Sequence, residues 1–330
     1  MPDPIVVQII NEYRRNLLDR ESAQFENMTR QWLKVEGALD GQMSALAFEI
    51  DRMRTAGEPV NEWRIQRLDQ YQSLLAQAQG DVGRYTQYAN GVIAEAQMQY
   101  GAAGAEAAQT VLRTMGVRGA FDILPTEAIE AMAGLASDGS PLLDLLRESW
   151  PEAADGLTDK LIRATAMGQN PRVTARLMKD GLANGLNRML TIARTEQLRA
   201  YKETTRSQYQ RSGLVTKYRR IAARQDRTCA GCLMADGFEY DLEVAFESHP
   251  NCRCTLIPVV KGMPEIQWQK GQDWFMSRGE DEQRSILGAG KFNAWKAGKF
   301  ELADLVKVSH DDTWGDAIVP TPLKELVANG

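Results

Sequence analysis

The sequence predicts a mainly α protein with a small β element, an α+β chain. Two observations carry that expectation. Apolar residues in the first hundred positions recur at steps of three and four, the spacing of one face of a helix. Residues 156–260 are different in kind: β-prone runs appear at 214–224 and 255–260, and all four cysteines of the 330-residue chain fall between Cys229 and Cys254.

Four segments follow from this reading. Residues 1–100 form a long helical hairpin. Its first stripe runs through Ile10, Tyr13, Leu17, Phe25, Met28, Trp32, Val35, Leu39, Met43, Leu46, Ile50 and Met53, with Glu21 as its polar interruption. A helix from Pro4 to Thr55 would be roughly 75 Å long at 1.5 Å per residue. Gly57 and Pro59 mark a stop and restart. A second stripe runs from Leu68 and Tyr71 through Val82 and Tyr85 to Ala96. The short connection makes the two helices antiparallel. Gly80, Gly83 and Gly91 each weaken the second by up to ~1 kcal/mol, so it is expected to bend or fray there.

Residues 101–155 read as a helical connector, with helix starts near Pro125-Thr126, Ser140-Pro141 and Pro151. Residues 156–260 read as the central domain. One helix begins near Pro171 and another carries Leu182, Leu186, Met189, Leu190, Ala193, Tyr201 and Tyr209. Strand candidates lie at 214–224 and 255–260, and Pro258 restricts the second to an edge or a bulge. Residues 261–330 read as a short helical extension followed by a loop-rich tail, with Trp274 and Trp295 as core anchors.

The chemistry-bearing signal is Cys229-Ala230-Gly231-Cys232, then His249-Pro250-Asn251-Cys252-Arg253-Cys254. A C-x-x-C turn brings two soft donors to one side of an ion, and Gly231 permits a positive φ there. A second donor group closes the tetrahedron. Cys229, Cys232, His249, Cys252 and Cys254 compete for four places, and zinc in a structural role is the ion expected. Disulfides and reduced thiols are the other readings. Catalytic zinc is disfavoured. The only histidines, His249 and His310, lie downstream of the C-x-x-C, whereas a nucleobase deaminase needs a His-x-Glu upstream of it. No His-Glu-x-x-His is present either.

A basic segment holds Arg188, Arg194, Arg199, Lys202, Arg206, Arg211, Lys217, Arg219, Arg220, Arg224 and Arg227 against Glu196, Glu203 and Asp226. That is a net +8, leaving −13 for the remainder of a chain with formal charge −5. Such a split fits contact with DNA or with an acidic protein surface, or a solvated helix face paired internally, as in Arg199 with Glu203. Within it, Arg194-Thr195-Glu196 is too sparse a set for catalysis, and Glu196 is expected to pair with an arginine in a buried network. No stretch approaches the roughly 18 apolar residues of a membrane helix. The first residues are too short an apolar run for a signal peptide, so synthesis in a cytoplasm is expected.

Ile192-Ala193-Arg194-Thr195-Glu196, Asp226-Arg227-Thr228-Cys229-Ala230-Gly231-Cys232, Asp236-Gly237 and the His249 to Cys254 block resemble, in order and spacing, the Mu F-like head-morphogenesis family of tailed phages. Asn170-Pro171-Arg172 and the run from Trp274-Phe275 through Ile286-Leu287-Gly288 to Gly298 extend the resemblance to roughly 156–305. Lys291, where many relatives carry arginine, and Glu247-Ser248, where prolines are common, depart from it. The resemblance implies a minor head (capsid) protein of the virion and no enzyme. It implies association with the portal, with the major capsid or scaffolding protein, and in some members with phage DNA; assembly would take place in the host cytoplasm. The alternative is a DNA-binding protein using the basic segment, and after it a hidden nuclease or ADP-ribosyl transferase.

Overall fold

The computed structural model describes residues 3–117, 123–225 and 227–328. Asp226, counted in the basic segment and quoted in the family resemblance, lies outside them. The described chain is mainly helical. Its helices are α1 (Ile5–Thr55), α2 (Glu62–Ile65), α3 (Asp69–Thr114), α4 (Thr126–Glu130), α5 (Leu142–Arg147), α6 (Ser149–Ala166) and α7 (Pro171–Arg211). Beyond them come β1 (Val215–Ile221), α8 (Ala230–Met234), β2 (Glu239–Asp241), β3 (Thr255–Val260), α9 (Gly271–Met276), α10 (Glu280–Leu287) and α11 (Ala289–Lys296). A 3-10 turn (Leu302–Leu305), β4 (Val306–Asp311), β5 (Gly315–Pro320) and α12 (Leu323–Leu326) complete the order.

The chain divides into two compact units, each drawn from separate segments. One comprises Arg20–Ala94 and Ser140–Ala193, the other Met1–Asp19, Glu95–Gly139 and Arg194–Gly330.

In the first of these the predicted stripes meet. Met28, Trp32, Leu39, Met43, Leu46 and Ile50 of α1 are buried, as are Tyr71, Leu74, Ala78, Val82 and Tyr85 of α3. The contacts run in opposite directions along the two helices, which makes them antiparallel. Gln24 Nε2 donates to Val92 O at 3.3 Å, Tyr85 OH to Met28 O at 2.9 Å, and Gln77 Nε2 to Ala38 O at 3.4 Å. Trp32 meets the Tyr85 ring edge-on, centroids 5.0 Å apart. Contrary to expectation, α3 is unbroken through Gly80, Gly83 and Gly91. Its buried apolar face outweighs a propensity penalty of up to ~1 kcal/mol per glycine. The two helices read around residues 171–209 are likewise one helix, α7. Gly181 does not interrupt it. It permits a close crossing with α6: a Cβ at Gly181 would stand 2.2 Å from Gly156 O, and one at Gly156 2.3 Å from Gly181 O.

The other unit holds the sheets. β1 lies between β2 and β3, all antiparallel, with Tyr218 opposite Tyr240 on one side and Pro258 on the other. β3 is therefore an edge strand, which is where Pro258 is tolerated. The loop-rich tail is a correction: β4 and β5 form a hairpin, with Val308 opposite Ile318 and Asp311 opposite Gly315. Its register shows weak alternation, since only Ala317 and Ile318 are buried, and a sequence reading finds no period-2 stripe there. The aromatic anchors also differ. Phe275 and Phe292 are the buried rings, and the half-buried Trp295 packs edge-on to both, at 5.5 and 6.0 Å. Trp274, also half-buried, lies under the Arg278 guanidinium at 5.0 Å. No helix among the described residues is long and apolar enough to cross a membrane.

Candidate metal centre

Three pieces of chain meet at the cysteines: α8, the turn entering β3, and the end of β1. Cys229 caps α8, its Sγ accepting from the Cys232 N–H at 3.3 Å. Gly231 corrects the sequence argument. It is absent from the positive-φ glycines, and what it supplies is space, because a Cβ would lie 2.8 Å from the Val319 carbonyl carbon and oxygen of β5. The residue that does take positive φ is Asn251, at 64°, a conformation asparagine tolerates better than most residues. It turns the chain between His249 and Cys252.

All five predicted donors converge. Cys229 Sγ and Cys232 Sγ each lie 3.4 Å from His249 Nε2, and Cys232 Sγ lies 3.9 Å from Cys252 Sγ. Edges of this length suit a tetrahedron around zinc, whose bonds of about 2.0–2.3 Å imply donor separations of roughly 3.5–3.8 Å. The donors form two overlapping groups, Cys229-Cys232-His249 and Cys232-Cys252-Cys254. Cys232 belongs to both; among the described residues no four donors lie all within 4.8 Å of one another. The four cysteines are free. The space among the donors is about 10 Å³, enough for an ion and too small for a substrate.

The surroundings are built for negative sulfur. Arg220 of β1 is fully buried, with Nη1 3.8 Å from Cys232 Sγ and 4.0 Å from Cys252 Sγ. Its Nη2 donates to Glu247 O, and its guanidinium lies 4.0 Å over the Phe246 ring. Among the described residues it has no carboxylate within ion-pairing distance, so the sulfurs are its counter-charge. Burying a cation without one would cost several kcal/mol. Lys202, also buried, donates to Cys252 O at 2.9 Å and Ser248 Oγ at 2.8 Å. Hydrogen bonds from Cys232 and His249 hold the Cys229 thiol down at about 5 against burial. Those from Cys232 and Cys254 hold Cys252 well below its ordinary value. Burial pushes His249 down, but hydrogen bonds and charge from Cys229 and Cys252 outweigh it and lift the group to about 10. Hydrogen bonds with the neighbouring thiols, Cys229 first, lift Cys232 well above its ordinary value. Against a lowering hydrogen bond from Cys232, the Cys252 hydrogen bond and burial lift Cys254 to about 12. Two thiols are thus ionised and two hold their protons, which a metal would displace on binding. His249 Nδ1 lies 2.8 Å from Pro250 O; donating there leaves Nε2 for the cluster.

One connection was not visible in the sequence. Arg194 Nη1 donates to Asn251 Oδ1 at 2.9 Å, and Thr195 Oγ1 accepts from Asn251 N at 3.1 Å. Two residues of the Arg194-Thr195-Glu196 motif thus hold the turn between His249 and Cys252. Residues 155–257, which contain both blocks, match the family model for Phage Mu protein F like protein. Over these residues the chain is Mu F-like. That ties it to phage head morphogenesis. The Mu F-like match stops at 257, short of the run from Trp274 to Gly298. No curated protein and no solved structure matches the chain.

The basic residues do not form one stripe. Arg194, Lys202 and Arg220 buttress the cysteine turn, as described. Arg199 pairs with buried Glu196 at 2.7 Å, as expected for Glu196, and not with Glu203, whose partner is Arg206 at 2.6 Å. Arg219 pairs with Glu239 and Glu265, both at 2.5 Å, and Arg224 with Asp3 at 3.2 Å. Arg188, in the other unit, approaches Glu148 at 3.5 Å. Arg211, Lys217 and Arg227 are the exposed members, and Lys217 lies 3.8 Å from Asp241 and 4.0 Å from Glu239.

Proposed function

We propose that this chain is a minor head protein that acts in head morphogenesis by docking at or near the portal vertex, and that it turns over no substrate. The observation that carries the reading is the Mu F-like segment folded around a closed Cys/His cluster. Four donors on one ion leave no position for a reacting water, and the cavity admits no substrate, so the centre serves to hold a shape. Cys229, Cys232, His249, Cys252 and Cys254 are the residues that would hold a zinc ion, four of the five at a time. The ion would tie α8 to the start of β3, and Arg220 and Lys202 would offset the negative charge of the thiolates. Portal, major capsid or scaffolding protein are the partners proposed, with the virion head as destination. Protein docking is preferred to DNA binding because eight of the eleven basic residues are buried or half-buried in internal contacts, and of the three exposed ones Lys217 already lies beside Glu239 and Asp241.

Purified heads assembled with and without the chain test this. The expected result is a few copies per head, located by labelled-chain cryo-EM at the portal vertex, and defective heads when the gene is deleted. Normal heads in its absence, or a chain missing from purified heads, would overturn the proposal.

A further inference from the structure

The third member of the Arg194-Thr195-Glu196 motif points away from the cysteines. Glu196 is fully buried, yet it lines a cleft of about 610 Å³ bounded by α7, the 244–248 segment and the β4–β5 hairpin. Its Oε2 accepts from Arg199 Nε at 2.7 Å; the Ser137 backbone N–H also approaches the carboxylate, but Oε1 makes no well-formed hydrogen bond. A buried carboxylate oxygen with no well-aligned donor costs part of the roughly 1–3 kcal/mol of an unsatisfied group, and such a group calls for a partner.

The cleft defines that partner's charge. Its lining carries seven carboxylates, among them Glu196, Glu203, Glu247 and Asp316, against Arg199 and Arg206. With His310 neutral the excess is five negative charges, which repels nucleic acid. Nor is it a metal cage: among the described residues, the cysteine groups alone bring three ligand atoms within 4.8 Å of one another. Met132, Phe246 and Trp314 give the walls apolar area as well. Small hydrated polycations gain nothing from such area; a side chain with an apolar stem and a cationic head does.

We infer that this cleft binds a basic segment of a partner protein, with an arginine inserted so that its guanidinium donates to Glu196 Oε1. Charge complementarity selects the partner, and the guanidinium supplies the donors that Oε1 lacks while its stem covers the apolar wall. The 244–248 wall runs directly into His249, so an occupant would brace the loop that enters the cysteine cluster.

Calorimetric titration of the full chain at low ionic strength tests it. The probes are a blocked pentapeptide, Gly-Ala-Arg-Ala-Gly, and the same peptide with citrulline, a neutral isostere of arginine. The arginine peptide should bind at least about tenfold more tightly, and Glu196→Gln should remove about tenfold of its affinity, the worth of one charge-assisted hydrogen bond. Because Glu196→Gln leaves Arg199 without its partner and can impair folding, the rim double variant Asp312→Asn/Asp316→Asn is a second arm. Both aspartates are exposed, and their loss should weaken binding by a smaller, salt-sensitive factor. Equal binding of the two peptides, no binding of either, or undiminished affinity in both variants would overturn the inference. Spermidine binding more tightly than the arginine peptide would overturn it in favour of a free polyamine.

Discussion

Replacing Arg220 with methionine should separate a charge role from a packing role, because methionine keeps much of the apolar stem. A zinc ion held by three cysteines and a histidine carries one net negative charge, spread over sulfurs that lie 3.8–4.0 Å from the guanidinium. At 4 Å and an effective dielectric of about 20, that attraction is ~4 kcal/mol. Coupling is reciprocal, so Arg220→Met should weaken zinc binding by at most about a thousandfold, because the ionised thiols of the metal-free cluster already draw part of that attraction. Competition with a chromophoric chelator at pH 7 reads this directly. Arg211→Met, at an exposed position, is the control and should leave the affinity unchanged. Chemical denaturation of the zinc-loaded variant should show a loss of about 3–5 kcal/mol, the range for breaking a buried ionic contact. Zinc affinity within threefold of the wild type would refute the reasoning, since the cluster would then have no need of the charge beside it.

Gly231→Ala should destabilise by about 1–3 kcal/mol, the range for an overpacked site, because the new Cβ would press on the Val319 backbone; a wild-type melting curve would show that α8 and β5 part freely. Asp236, whose Oδ1 accepts from Ala222 N at 3.1 Å and Trp268 Nε1 at 3.3 Å, is pushed by burial up to about 6 from 3.8. The folded state therefore holds its proton more tightly than the unfolded state, and stability falls as pH rises from about 4 through about 6, by up to roughly 3 kcal/mol. In Asp236→Asn that decline should vanish, as urea titrations at pH 4, 6 and 8 would report. Trp295→Ala should cost less than Phe275→Ala, about 2 against 3–5 kcal/mol, because the Trp295 ring is half-buried; equal losses by thermal melt would contradict the packing described.

The sequence made the long helices legible because their signal is repeated many times. A dozen apolar positions in α1 agree on one period, and no single glycine or Glu21 undoes that agreement. The cysteine cluster was legible for a different reason: the donor types are rare and close together in the chain. What escaped was set by contacts between distant segments. Nothing local in the sequence marks Gly181, yet it is where α6 crosses α7. Gly231 read as a turn residue, and its need for a missing side chain comes from β5, some ninety positions later. The strands β4 and β5 pair with each other and bury two residues, so they leave almost no alternation to detect. Arg194, Lys202 and Arg220 looked like members of a basic face. That they turn inward follows from the thiolates, whose position only the fold supplies.

The central claim, a closed ion-holding centre that ties α8 to the start of β3, is tested most directly by elemental analysis of the purified chain joined to hydrogen exchange before and after chelation. About one zinc per chain is expected, with residues 214–260 losing protection on chelation while α1 and α3 keep theirs. A metal-free chain with the same protection throughout would contradict it.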